Sequence, residues 1–183
     1  LYGYLLSVRG ELTKALEIFS KIEKKIPNDI GNLMNLGKCC YELQKYIQAI
    51  EVYQKIIKIN PNMPDVLIDA GNAQKKIGNF TEALNYYDLA LLRGANSHDI
   101  LLNKANVLLQ MGSIEEAKNF CEILIDKKTQ DVKVLVTYGN ILAEMSEYDE
   151  SQNYLNDFFY EKLLFKLWNE NFQQIFYTFP ESC

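Results

Sequence analysis

The sequence predicts an all-α fold, an alpha-alpha superhelix in which about five helix-turn-helix units stack into a solenoid. The first observation is a repeat. When the chain is shifted by 34 residues against itself, small residues fall on small residues without a gap. The two aligned sets are Gly3, Gly37, Gly71, Ala105 and Gly139, then Ala15, Ala49, Ala83, Ala117 and Ser151. The second observation is that apolar residues recur at helical spacing inside each unit, as Leu33, Leu36 and Cys40 do.

The turns and helix ends are marked by residues that do not continue a helix. Gly78 and Gly112 stand between the two helices of their units, where a left-handed backbone costs glycine least. Pro27 and Pro61 end second helices, because proline has no N–H for the helical hydrogen bonds. A single hairpin cannot bury its own apolar stripe, so neighbouring units must stack.

These signals predict ten helices, at residues 1–9, 12–25, 30–43, 46–59, 64–77, 80–93, 98–111, 114–127, 132–145 and 148–160. They pair into units of about 1–29, 30–63, 64–97, 98–131 and 132–165. Residues 166–183 are then a C-terminal capping helix or a tail. The first unit lacks the opening part of its first helix and the chain starts at Leu1, so we expect a piece of a longer protein.

One unit carries a many-position pattern. It reads Leu33-x-x-Leu36-Gly37-x-x-Cys40, followed by Tyr46, Ala49, Tyr53, Ile56 and Pro61. In this pattern the chain resembles the tetratricopeptide repeat family over roughly residues 1–165. The resemblance implies a protein-protein interaction scaffold with a concave groove lined by the first helix of each unit. An alternative from another class is the recognition arm of a larger enzyme, such as a glycosyltransferase, whose catalytic domain this chain lacks.

The charge of the chain argues against a nucleic-acid partner. The formal net charge is −5 and the pI is near 5.0, whereas nucleic acid requires a basic face. The cations are seventeen lysines against only Arg9 and Arg93. Arginine is the favoured residue for phosphate and base-edge contacts, so this ratio points the same way.

Residues with catalytic or metal-binding chemistry are few. His98 is the only histidine, so neither a histidine metal site nor a Ser-His-Asp triad can be assembled. The pair Glu115-Glu116 starts a predicted helix, where carboxylates complement the helix dipole. The glycines follow the repeat period and form no phosphate loop. We therefore predict that the chain is no enzyme and holds no metal or cofactor.

The hydropathy of the chain and the spacing of its cysteines bear on membrane association and cellular compartment. No run of 18 apolar residues and no signal-peptide pattern occurs, so no membrane association is predicted. The four cysteines are Cys39, Cys40, Cys121 and Cys183. They lack the C-x-x-C spacing of a zinc site, and two of them are sequence neighbours, which rarely form a disulfide with each other. Reduced, packed thiols predict a cytoplasmic location, with a nuclear one as the alternative.

The candidate binding residues occupy the groove-facing positions beside each small residue. From the second unit to the fifth, these positions hold Asn35, Lys38, Asp69, Asn72, Asn103, Asn106, Thr137 and Asn140. An asparagine amide both donates and accepts hydrogen bonds, so it matches the N–H and C=O groups of an extended peptide. Asparagine is also unfavourable inside a helix, so its recurrence there needs an explanation. We therefore predict that an extended peptide is the ligand.

These asparagines are similar to the asparagine ladder in the repeat domain of O-linked N-acetylglucosamine transferases, which hold extended protein segments by their main chain. The strings Asn35-Leu36-Gly37 and Ala70-Gly71-Asn72 carry that resemblance, and Asp69 and Thr137 interrupt it. The alternative is that the asparagines simply solvate a helix face.

A second binding mode of the family is a clamp for a C-terminal carboxylate. Its positions fall on Ile68, Asn72, Asn103, Lys133 and Thr137. Lys133 is the one cation among them, so most of the charge-assisted pairing that would hold a carboxylate is missing. Lys133 stays a candidate groove residue, and the clamp is disfavoured.

The segment 163–179 is aromatic and nearly uncharged, with Trp168, Phe172 and Phe176 on one helical stripe. The simplest interpretation is a terminal helix that covers the last repeat. The alternatives are self-association through Trp168 and Phe172, since large exposed apolar patches usually have partners, or a cloning or gene-model tail.

Overall fold

The computed structural model describes residues 2–126 and 131–145, and within these ranges the chain is helical without a strand. The helices are α1 (Tyr2–Val8), α2 (Leu12–Lys25), α3 (Ile30–Glu42), α4 (Tyr46–Ile59), α5 (Pro64–Lys76), α6 (Phe80–Leu92), α7 (Ser97–Gln110), α8 (Ile114–Asp126) and α9 (Val132–Glu144). The predicted all-α solenoid is confirmed, and each of these helices begins and ends within one residue of its predicted bounds. The predicted helix 148–160 and the segment 163–179 lie outside the described residues.

The helices stack in chain order. Each helix packs against the helix before it and the helix after it, and α7 also contacts α9. The odd-numbered helices are thus the first helices of successive units, and the even-numbered ones are the second. The alanines that recur every 34 residues are completely buried at these contacts; they are Ala15, Ala49, Ala83 and Ala117. The interior is therefore continuous from unit to unit, as expected for a repeat protein.

In the second and third units the two helices cross so closely that the position facing the buried tyrosine has no room for a side chain. A methyl group at Gly37 would lie 2.5 Å from Cε1 of Tyr53, and one at Gly71 would lie 2.6 Å from Cε1 of Tyr87. Both tyrosine rings are buried, so they fill the space that glycine leaves. In the next unit the glycine is replaced by Ala105, and the tyrosine by Cys121, which is also fully buried. A larger residue on one helix is thus matched by a smaller one on the other.

In the first four units, the turn between the two helices contains a residue with a left-handed backbone. Gly10, Gly78 and Gly112 hold this position with φ of 79°, 81° and 78°. The equivalent residue of the second unit is Gln44, with φ of 58°. A side chain in this conformation is strained by contact between its Cβ and the following carbonyl oxygen.

Replacing Gln44 with glycine is therefore expected to raise the free energy of unfolding by about 1 kcal/mol. Urea denaturation followed by circular dichroism measures this change. The matched control is Gln48→Gly, an exposed glutamine inside α4, where the same substitution should lower stability by about 1 kcal/mol. Destabilisation by both substitutions would show that Gln44 is not strained.

The second helices end in two ways. α2 and α4 stop just before Ile26-Pro27 and Asn60-Pro61, as predicted. α6 stops without a proline, because Gly94 follows it with φ of 82° and donates its N–H to the Leu91 carbonyl oxygen at 3.0 Å. This glycine terminator was not anticipated from the sequence, although a glycine just after a helix is a common stop signal.

Candidate functional site

A depression of about 500 Å³ lies on the face formed by the first helices of the N-terminal units. We call it the N-terminal depression; it is lined by Tyr4, Ser7, Leu12, Asn35, Lys38, Cys39, Tyr41, Glu42, Tyr53, Asp69 and Asn72. Its volume lies in the range of ligand-binding pockets. Because α1, α3 and α5 are successive first helices, positions 34 apart in sequence line it side by side. Four of the nine predicted binding residues, Asn35, Lys38, Asp69 and Asn72, come together here.

Both asparagines of the N-terminal depression use one end of the amide internally. Asn35 donates from Nδ2 to the Gly31 carbonyl oxygen at 3.0 Å. Asn72 accepts at Oδ1 from the Tyr87 hydroxyl at 2.8 Å. Within the described residues, this leaves the Asn35 Oδ1 acceptor and the Asn72 Nδ2 donor available to a ligand.

The predicted residues further along this face are not part of the N-terminal depression. Asn103 accepts at Oδ1 from Lys75 Nζ at 3.0 Å, which ties α7 to α5. Asn106 donates from Nδ2 to the Leu102 carbonyl oxygen at 2.9 Å. Thr137 is buried, and its hydroxyl donates to the Lys133 carbonyl oxygen at 2.8 Å. Each of these three side chains therefore makes a hydrogen bond within the protein, which leaves fewer of its polar atoms for a ligand.

The remaining predicted residues, Lys133 and Asn140, are exposed on α9. The first helices therefore offer two kinds of surface. Toward the N-terminus a depression carries polar groups with unused hydrogen-bonding atoms. Toward α7 and α9, Asn103 is bonded to Lys75, and Asn106 and Thr137 are bonded to carbonyl oxygens of their own helices.

Asp69 is the half-buried member of the three charged residues that line the N-terminal depression; Lys38 and Glu42 are exposed. In the described part of the chain no hydrogen bond or ion pair reaches the Asp69 carboxylate. Burial raises its pKa above the ordinary aspartate value; Lys38 opposes that shift and Asp65 adds to it. A half-buried carboxylate without a partner is costly, and such groups concentrate at functional sites.

Tyr53 is a site residue that was not predicted, because it was assigned only to the helix crossing. Its side chain is 1% exposed and lines the N-terminal depression, yet within residues 2–126 and 131–145 its hydroxyl has no hydrogen-bond partner. Burial and the nearby Asp69 carboxylate raise its pKa. Its equivalent Tyr87 bonds to Asn72, but the residue equivalent to Asn72 is Lys38, an ammonium with no acceptor. The sequence therefore contained an indication of this difference, because the second unit pairs its tyrosine with a lysine, whereas the third unit pairs its tyrosine with an asparagine.

The two tyrosines allow a matched prediction. Tyr87→Phe removes the bond to Asn72 and is expected to lower the free energy of unfolding by about 1 kcal/mol. Tyr53→Phe removes a hydroxyl without an internal partner, so its effect should stay within about 0.5 kcal/mol. Urea titrations of both variants measure the difference, and equal losses would mean that the Tyr53 hydroxyl has a partner in the folded protein.

The raised pKa of Asp69 predicts how the stability of the fold depends on pH. Since its pKa is higher in the folded than in the unfolded chain, the ionised carboxylate destabilises the fold, and its penalty appears as pH rises above the unfolded value of about 3.9. Asp69→Asn should therefore be more stable than the wild-type chain at pH 7, and the difference should vanish near pH 4. Urea unfolding of both proteins across this range tests it; a less stable Asp69→Asn chain at pH 7 would contradict the unpartnered carboxylate.

Other reactive groups lie elsewhere. Cys39, Cys40 and Cys121 are buried free thiols; burial raises the pKa of each, that of Cys121 to about 11, so they stay protonated at neutral pH. His98 pairs through Nε2 with Asp131 at 3.1 Å. Among the described residues, no three His, Cys, Asp or Glu side chains gather as metal ligands would.

None of the helices described, from α1 to α9, is long and apolar enough to cross a membrane.

The helical hairpins and their close crossings define an α-helical repeat solenoid. The chain belongs to the tetratricopeptide repeat family, whose profiles match residues 33–63 and 68–131. No protein of the curated set matches the chain significantly.

Solved structures show the same fold. MamA 41-end from Desulfovibrio magneticus RS-1 is 16% identical, with a TM-score of 0.77, and the match covers 86% of this chain and 89% of MamA. A tetratricopeptide repeat protein from Parabacteroides merdae is 19% identical with a TM-score of 0.77, over 88% of this chain and 64% of that one. YrrB, described as a TPR protein with an unusual peptide-binding site, is 18% identical with a TM-score of 0.62, over 79% of this chain and 74% of its own.

Proposed function

We propose that the chain is a protein-interaction scaffold that binds an extended peptide segment in the N-terminal depression. The observation that carries this proposal is the depression itself, where four predicted groove residues meet beside Tyr4, Tyr41 and Leu12. The repeat fold typically serves as a non-catalytic interaction module, and YrrB shows that this fold can hold a peptide-binding site. We therefore place the ligand on α1, α3 and α5.

The chemistry of the depression fits a peptide main chain. The Asn35 amide has a spare acceptor for a peptide N–H, and the Asn72 amide has a spare donor for a peptide C=O. The apolar and aromatic side chains around them give a peptide surface to pack on. Asn103 and Asn106 are bonded internally, so we give them a supporting part, holding adjacent helices together, rather than the main contacts.

Selection of random linear peptides displayed on phage tests the proposal. We expect the wild-type chain to enrich peptides that Lys38→Trp, whose indole would fill the N-terminal depression, does not enrich. The matched control is Lys21→Trp, an exposed lysine on α2, which should enrich the same peptides as the wild-type chain. If Lys38→Trp enriches them equally, the depression is not the binding site.

The alternative, a recognition arm of a larger enzyme such as a glycosyltransferase, would use the same depression to hold a substrate peptide. The reading frame on both sides of this segment tests it. A cytoplasmic or nuclear location is proposed from the reduced thiols, and the compartment of a fluorescent fusion tests that.

A further inference from the structure

The four equivalent positions Asn35, Asp69, Asn103 and Thr137 differ in one respect. Asn35 and Thr137 donate to a carbonyl oxygen of their own helix, and Asn103 accepts from Lys75. Asp69 alone of the four makes no hydrogen bond within the described residues, although it is half-buried. Its carboxylate oxygens could accept several hydrogen bonds.

A second, independent group points into the same place. Tyr53, whose side chain is 1% exposed, also lines the N-terminal depression, and its hydroxyl has no hydrogen-bond partner among the described residues. The two groups are close enough for the charge of Asp69 to raise the pKa of Tyr53. An unpartnered carboxylate and an unpartnered hydroxyl oxygen together form an acceptor site for a hydrogen-bond donor.

The surrounding charge identifies that donor as a cation. Glu42 also lines the N-terminal depression, and Asp65 acts on Asp69 from the previous turn of α5. Lys38 is the single cation among the lining residues; it is exposed, and it forms no ion pair with Asp69 in the described structure. A negative depression in a chain of net charge −5 attracts basic segments and repels acidic ones.

We propose that the peptide bound in the N-terminal depression carries a lysine or arginine side chain, whose cation pairs with the Asp69 carboxylate and donates a second hydrogen bond to the Tyr53 hydroxyl oxygen. This inference rests on the proposed function, since it names the chemistry of the same peptide. The pairing explains why Asp69 stays unsatisfied in the free protein, because a ligand cation supplies the missing partner. It also explains why a half-buried carboxylate is kept at a position that asparagine or threonine fills in other units.

The test compares peptide selections on three proteins: the wild-type chain, Asp69→Asn and Asp69→Lys. The wild-type chain is expected to enrich peptides with lysine or arginine at one fixed position. Asp69→Asn should lose that preference, and Asp69→Lys should replace it with aspartate or glutamate. Glu51→Gln is the matched control, an exposed carboxylate on α4 outside the depression lining, and should keep the basic preference.

Affinity measurements on a selected peptide sharpen the result. Asp69→Asn, and alanine in place of the peptide's basic residue, should each weaken binding about tenfold or more. Their combination should be no weaker than either alone, because both remove the same pair. Asp69→Asn should fold at least as stably as the wild-type chain, so its loss of binding cannot be attributed to unfolding.

Two negative outcomes are distinguishable. If Lys38→Trp abolishes peptide enrichment but the peptides enriched by the wild-type chain show no lysine or arginine preference, this inference is overturned and the peptide scaffold still stands. If no substitution in the depression affects which peptides are enriched, both this inference and the proposed function are overturned.

Discussion

Replacing Gly71 with alanine is expected to lower the free energy of unfolding by about 1–3 kcal/mol, although alanine is the better helix former. The added methyl group would stand 2.6 Å from Cε1 of Tyr87, and the tyrosine ring is fully buried, so it has no free space to move into. Urea denaturation followed by circular dichroism measures the loss. A Gly71→Ala chain as stable as the wild type would show that the crossing is looser than described.

The packing explanation is tested further in the background of Tyr87→Cys. The fourth unit already pairs Ala105 with Cys121 at the equivalent positions, and both are fully buried. In that background Gly71→Ala should be neutral or stabilising, because the Tyr87 ring that the added methyl group would contact is absent. A loss of the same size in both backgrounds would assign the effect to the helix itself and not to the contact.

Replacing Ile56 with alanine is expected to lower the free energy of unfolding by about 2–5 kcal/mol. Ile56 is completely buried in α4, within the cluster that joins the second unit to its neighbours. The matched control is Ile47→Ala on the same helix, where the side chain is 65% exposed and the change should stay within about 0.5 kcal/mol. Similar losses at the two sites would contradict the assignment of the α4 inner face.

The helices could be predicted closely because each unit repeats one local solution. Small residues at Gly37 and Ala49 and stops such as Pro61 recur in register, so every unit supports the boundaries of the others. Where a unit departs from the pattern, prediction was weaker. Gln44 adopts the left-handed turn of its glycine equivalents despite its side chain, and Gly94 ends α6 where the first two units use Pro27 and Pro61.

Part of the predicted groove lines the N-terminal depression, but the hydrogen bonds of the predicted residues could not be read from the sequence. The spacing placed Asn35, Asp69 and Asn72 beside the close crossings, and all three line the N-terminal depression. It could not show that Asn103 is held by Lys75, because that bond depends on how side chains of adjacent units reach one another. The sequence showed that Asp69 interrupts the asparagine series, but not that its carboxylate makes no hydrogen bond among the described residues.

The second helix of the last unit and the aromatic segment 163–179 remain predictions. Self-association through Trp168 and Phe172 would appear as a larger mass in sedimentation of the full chain than of a chain that ends before residue 163.

The most direct measurement of peptide binding in the N-terminal depression is photo-crosslinking. A peptide enriched by the wild-type chain, carrying a benzophenone side chain, is irradiated with the protein, and the attachment sites are read by mass spectrometry. Attachment to α1, α3 and α5, at residues such as Tyr4, Asn35 and Tyr41, is the predicted result. Attachment confined to residues outside the depression lining, on the second helices α2, α4 and α6 or in residues 163–183, would contradict it.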